Sequence, residues 1–156
     1  MKKLITLLML ATALATPTFA YAKNANLSIQ MANYQGPPAY LAIYLNKPDG
    51  TFDSTLWVAG GQSRYQRDLR GWFRGASAAS QRIDGITGAS VGSGRTLQVT
   101  VSIADALIDA GYTVHVDSAV ENGGQVRDDA TLDLTQANSG KVFAGNSYVA
   151  AMSVNF

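Results

Sequence analysis

The chain has 156 residues, with 12 lysines and arginines against 11 aspartates and glutamates, one histidine and no cysteine. A nearly neutral chain gives no electrostatic basis for nucleic-acid binding, and without a thiol there is no disulfide, thiolate nucleophile, iron–sulfur cluster, lipobox or covalent c-type haem. A single histidine, His115, excludes a multi-histidine metal centre, and the spacing of the acids suggests no carboxylate-only site.

Lys2 and Lys3 precede a largely apolar run from Leu4 to Leu14, and the following alanine-rich stretch ends in Ala20-Tyr21-Ala22. A basic start, a short apolar stretch and a small-x-small site are the parts of a Sec-type signal peptide, predicting cleavage after Ala22 and a periplasmic protein of a Gram-negative bacterium. The apolar run is too short for a permanent span and none follows, so no membrane span is expected in the mature chain. The 134 residues from Lys23 to Phe156 suit one domain, and loss of Lys2 and Lys3 takes the formal charge from +1 to −1.

Short segments of β character recur at 27–32, 39–45, 56–59, 96–103, 112–118, 130–134 and 148–155, separated by breaks such as Asn46-Lys47-Pro48-Asp49-Gly50 and Glu121-Asn122-Gly123-Gly124. Such spacing predicts an all-β fold, an immunoglobulin-like antiparallel β-sandwich of about seven strands spanning residues 23–156. In segment 96–103, Leu97, Val99, Val101 and Ile103 alternate with polar residues, as a half-buried strand requires.

One short helix interrupts the pattern around Arg64 to Arg74. Ser63 and Gln66 have capping-box spacing, and Gly75 is placed to follow the last turn. Tyr65, Leu69, Trp72 and Phe73 fall on one arc, Arg64, Arg67, Arg70 and Arg74 on the other, although the interior Gly71 disfavours a helix. The arginine arc is either a solvated face or a docking surface for an anionic partner. A further helical turn is expected within 104–110.

The segment that carries chemistry is Asp84-Gly85-Ile86-Thr87-Gly88-Ala89-Ser90, followed by Val91-Gly92-Ser93-Gly94. It reads as an exposed glycine-rich loop, with hydroxyls at Thr87 and Ser90 and a backbone able to approach a phosphate. The stretch resembles the acceptor motif of proteins modified by FAD:protein FMN transferase. That resemblance implies FMN joined by a phosphoester to Ser90, with Asp84 recognised or orienting Mg²⁺ during modification and Gly85, Gly88 and Ala89 letting the loop thread into the transferase. Magnesium would be needed only transiently. The order Ala39-Tyr40-Leu41-Ala42-Ile43-Tyr44, Asp49-Gly50, Leu56-Trp57, Leu69, Trp72 and then the motif is similar to domain-of-unknown-function family 2271, small periplasmic proteins. Membership implies an immunoglobulin-like fold and, as partners, the transferase and a PepSY-type membrane reductase. With no thiol and no metal cluster, an organic cofactor is the remaining route into a redox chain. The chain would then be an electron carrier with no turnover of its own.

Three other readings compete. Gly88-Ala89-Ser90-Val91-Gly92 matches the hydrolase nucleophile elbow, but β-type sequence follows it, the order Ser90, His115, Asp117 is not the elbow family's, and His115 reads as an exposed strand residue. Alternation of Tyr148, Ala150, Met152, Val154 and Phe156 is that of a small outer-membrane β-barrel's last strand. A non-flavin immunoglobulin-like binding or scaffold module shares every fold feature and differs only at Ser90.

Overall fold

The computed structural model describes residues 21–156, so most of the expected leader lies outside the described residues. Among the described residues nine strands form two sheets: β1 (Ala22–Met31), β2 (Tyr40–Asn46), β3 (Phe52–Ala59), β4 (Thr87–Gly88), β5 (Thr96–Ala104), β6 (Thr113–Ala119), β7 (Gln125–Asp133), β8 (Val142–Ala144) and β9 (Val149–Asn155). One sheet has the order β5-β1-β9-β8 and the other β4-β3-β2-β6-β7, antiparallel throughout except for the β3–β4 pair. The expected sandwich is therefore present, with β4 and β8 added to the seven anticipated strands. Both additions are too short to show a period of two in the sequence.

Alternation explains the main core. Ala25, Leu27, Ile29 and Met31 of β1 and Val101 and Ile103 of β5 point inward and are buried. They meet Leu41, Ile43 and Leu45 of β2 and Val114 and Val116 of β6. The strand β2 is buried on both faces, because its run Tyr-Leu-Ala-Ile-Tyr-Leu has no polar position to offer water. Its other face, Tyr40, Ala42 and Tyr44, joins Val58, Leu69, Trp72 and Ala76 in a second, smaller core under the helical segment.

That segment departs from the single capped helix expected. A one-turn helix α1 (Ser63–Gln66) is followed by a turn and then α2 (Arg70–Ala78). Ser63 is the first helical residue and not the cap; Gln62 takes that place without a side-chain cap bond. Gln66, in place of closing a capping box, donates from Nε2 to the Gly60 carbonyl at 3.1 Å. Gly75 lies inside α2, where a Cβ would come within 2.4 Å of Phe52 Cβ. The helix instead ends in a Schellman-type turn at Ser80, whose φ is 50° and where Gln81 N–H donates to the Ala76 carbonyl. The break between α1 and α2 splits the arginine arc. Arg64 lies 4.4 Å over the Tyr65 ring, while Arg70 and Arg74 line a cavity further along.

Leu69, at the break, is fully buried. Leu69→Ala is expected to lower stability by about 2 to 5 kcal/mol, the range for a buried leucine deletion. Denaturant unfolding of the mature chain measures this through the midpoint at constant slope.

The barrel reading is overturned by topology: among the described residues the strands form two separate sheets, each with edges. In β9 the inward set is Val149, Met152 and Val154, because a bulge opposite Gln30 and Met31 interrupts the alternation. The helical turn expected within 104–110 is a 3₁₀ turn, Asp105–Leu107. No helix among the described residues is long and apolar enough to cross a membrane.

Candidate functional site

The motif residues sit at the edge of the five-stranded sheet, where the chain crosses toward β5 of the other sheet. Asp84 and Gly85 form the entering turn, and Gly85 needs its freedom there, with φ at +80° and open space around it. Asp84 is exposed, and its Oδ2 accepts from Arg82 Nε at 2.9 Å and Nη2 at 2.7 Å. The following residues are not the free loop that glycine content suggested. Val58 N–H donates to the Ile86 carbonyl at 2.9 Å and Gly60 N–H to the Gly88 carbonyl at 2.8 Å, seating Thr87 and Gly88 as β4 alongside β3. Past the motif, Val91 and Ala39 exchange two backbone hydrogen bonds of 2.7 and 2.9 Å. Ala89 and Ser90 thus bridge two anchored points. Thr87 and Ala89 face solvent and Ser90 is half-buried.

Ser90 opens onto a cavity of about 330 Å³ whose lining includes Trp57, Arg95, Thr96 and Leu97. Trp57, quoted in the sequence only for the family resemblance, and Arg95 were not assigned to the site, since a strand tryptophan and a loop arginine have no local signature of their own. Two observations mark Trp57. Its indole nitrogen Nε1 is buried with no hydrogen-bond partner among the described residues, a costly state for a donor that could otherwise be satisfied by a ligand. Gly88 of the motif lies against the ring, so that a Cβ at this position would be 2.8 Å from Trp57 Cζ2. Glycine at 88 is therefore required by the packing of the indole.

The elbow's partners are not brought to Ser90. His115 is on β6, on the outer face of the five-stranded sheet, with its side chain only 15% exposed. It is stacked on Tyr44 at 5.4 Å, with Nδ1 2.7 Å from Asp128 Oδ1 and Nε2 2.7 Å from Thr113 Oγ1. The expectation of an exposed strand histidine is thus corrected: Tyr44 and the neighbouring β7 cover the ring. Asp117 is fully buried. Its Oδ1 accepts from Tyr44 Oη–H and Asp128 N–H, both at 3.0 Å, and its Oδ2 from Trp72 N–H at 2.9 Å. Both imidazole nitrogens and both Asp117 oxygens are engaged away from Ser90, so no Ser-His-Asp relay exists here.

The phenol of Tyr44 is pushed well above the ordinary tyrosine range, first by burial and then by the nearby Asp117 and Asp128. A raised folded-state pKa means that this tyrosine ionises in the unfolded chain before it ionises in the folded one. Its stabilising contribution is whole below about pH 10 and is lost as pH rises above that value. Tyr44→Phe should lower stability at pH 7 by about 1 to 3 kcal/mol, through the buried acceptors left without their donor. The variant should also show a shallower loss of stability above about pH 10. Denaturant midpoints measured from pH 7 to 11 check both.

The model for the family described as "Predicted periplasmic protein (DUF2271)" matches residues 22–151. The chain belongs to this family. The family's description agrees with the periplasmic location expected from the leader. No curated protein and no solved structure matches the chain. This DUF2271 protein is therefore a periplasmic β-sandwich.

Proposed function

We propose that this DUF2271 protein is a periplasmic electron carrier holding FMN through a phosphoester to Ser90. The observation that supports it best is the setting of that hydroxyl: half-buried, at the mouth of a cavity with an aromatic wall and a buried, unpartnered indole N–H. Those residues fit the group. Trp57 and Leu97 offer apolar surface to a planar ring, and Arg95 brings a cation near a phosphate. When bound, FMN supplies one- and two-electron chemistry, while the protein holds it and tunes its surroundings. No catalytic residue of the chain is required.

Modification would form a bond from Ser90 Oγ to the FMN phosphorus of FAD and break the pyrophosphate, with AMP leaving. The Ser90 proton and the Mg²⁺ ion are handled by the FAD:protein FMN transferase. Ser90 therefore needs reach more than activation. Strand β4 is two residues long and sits at a sheet edge, so its release costs few hydrogen bonds and lets Asp84 to Ser90 enter the transferase. Electrons would pass from a PepSY-type membrane reductase to a periplasmic acceptor.

Mass spectrometry of the protein isolated from its native periplasm tests the proposal. One FMN on the peptide containing Ser90 is expected. Unmodified Ser90 in a host with active transferase would overturn it and leave the non-flavin binding or scaffold module, which the fold accommodates equally.

A further inference from the structure

A second cavity, of about 430 Å³, lies between α2 and the outer face of the five-stranded sheet, and its lining shares no residue with that of the Ser90 cavity. Three exposed arginines line it. Arg70 and Arg74 stand one turn apart on α2, and Arg127 reaches in from β7. Among the described residues neither Arg70 nor Arg74 forms an ion pair, and the only one made by Arg127 runs from Nε to Asp128 Oδ2 at 3.4 Å. Like charges gathered around one concavity repel unless an anion sits among them.

The cavity is also shaped. Tyr44 and Phe52, with ring centroids 6.0 Å apart, supply an aromatic wall. Gly71 and Gly75, four residues apart, let α2 pack directly against that wall and set the depth of the cavity beside it, since a Cβ on either would collide with it, at 2.9 Å from Tyr44 Oη and 2.5 Å from Phe52 Cγ. Of the acids nearby, Asp128 pairs through Oδ2 with Arg127 alone, while Asp117 accepts from Tyr44, Trp72 and Asp128 and pairs with no arginine among the described residues. Asp128 itself is held at φ 52°, a conformation that costs a non-glycine residue energy and that orients the strand carrying Arg127.

We propose that this cavity binds a small phosphate monoester, the phosphate taken by Arg70, Arg74 and Arg127 and its organic group laid against Tyr44 and Phe52. Planar guanidinium forks match phosphate oxygens in pairs, and an aromatic wall favours an ester over the bare ion. The site is independent of flavin, so its test uses the mature chain carrying Ser90→Ala, in which no FMN can contribute. Titration with phenyl phosphate, followed by amide NMR shifts, is expected to saturate with the largest changes at Phe52, Gly71 and Gly75. Inorganic phosphate should bind about tenfold more weakly for lack of the ring, and benzyl alcohol, which has the ring without the charge, should give no saturable shifts at these residues. Arg74→Gln and Arg127→Gln should each weaken phenyl phosphate at least about tenfold, with unfolding midpoints unchanged. Equal binding by benzyl alcohol, affinity indifferent to both arginine variants, or no saturable shift with phenyl phosphate would overturn the assignment.

Discussion

Ser90→Ala is expected to remove all covalent flavin from the protein while leaving stability within about 0.5 kcal/mol, since Ser90 is only half-buried and its truncation deletes a single oxygen. Co-export with a flavin transferase, followed by fluorescence on a denaturing gel and peptide mass, reads the first effect; a denaturant midpoint reads the second. Ser90→Thr retains a hydroxyl and should still be modified. Asp84→Ala should reduce transfer with the nucleophile still present, because Asp84 is exposed and pairs only with Arg82, also exposed. Its loss therefore has no route to act through folding. A variant lacking Ser90 that still carries one FMN would move the attachment elsewhere, with Thr87 the nearest alternative hydroxyl in the motif.

Asp117→Ala should cost about 3 to 5 kcal/mol, in the range for breaking a buried, fully engaged polar cluster. The carboxyl of Asp117 receives Tyr44 Oη–H, Trp72 N–H and Asp128 N–H, and it is the group that satisfies the start of α2 from a neighbouring strand. Removing it leaves the Trp72 and Asp128 N–H groups without this acceptor and Tyr44 Oη–H with only the longer contact to Asp128, each unmet buried donor costing roughly 1 to 3 kcal/mol. Asp117→Asn keeps the shape but exchanges one acceptor for a donor, so it should lie between the parent and the alanine variant. Unfolding midpoints of the three proteins give the ranking. The expected exchange signature is early loss of protection at Trp72 and Phe73, whose amides open α2.

The regular strands were legible because their side chains answer to a local rule. Segment 96–103 alternates and is half-buried; the uninterrupted run at 39–45 is a strand covered on both faces. The helical segment was legible in kind but not in detail. Ser63, Gln66 and Gly75 have the spacing of caps, yet each is used otherwise, since α2 is capped by Asp117, which is 45 residues from Trp72 in the chain. Gly71 weighed against a helix by propensity alone. In the fold it is what allows α2 to come within reach of that carboxyl, as a Cβ there would be 2.7 Å from Asp117 Oδ2.

At the candidate site the division is sharper. Residues Asp84 to Ser90 stand out in the sequence as a short contiguous stretch, the form in which the proposed modification would be read, and a leader likewise carries its address in consecutive residues. Both features, with the absence of cysteine, follow from the chain alone. What surrounds Ser90 does not. Trp57 and Arg95 come to it from either side of the motif through sheet pairing and a crossing between sheets. The three arginines of the second cavity come from a helix and a strand about fifty residues apart. Such neighbours are set by long-range register and by packing of helix on sheet, where no periodicity within one segment records them. Local chemistry thus determined where the chain is sent and where the proposed acceptor lies, and only the tertiary structure decided what Ser90 faces.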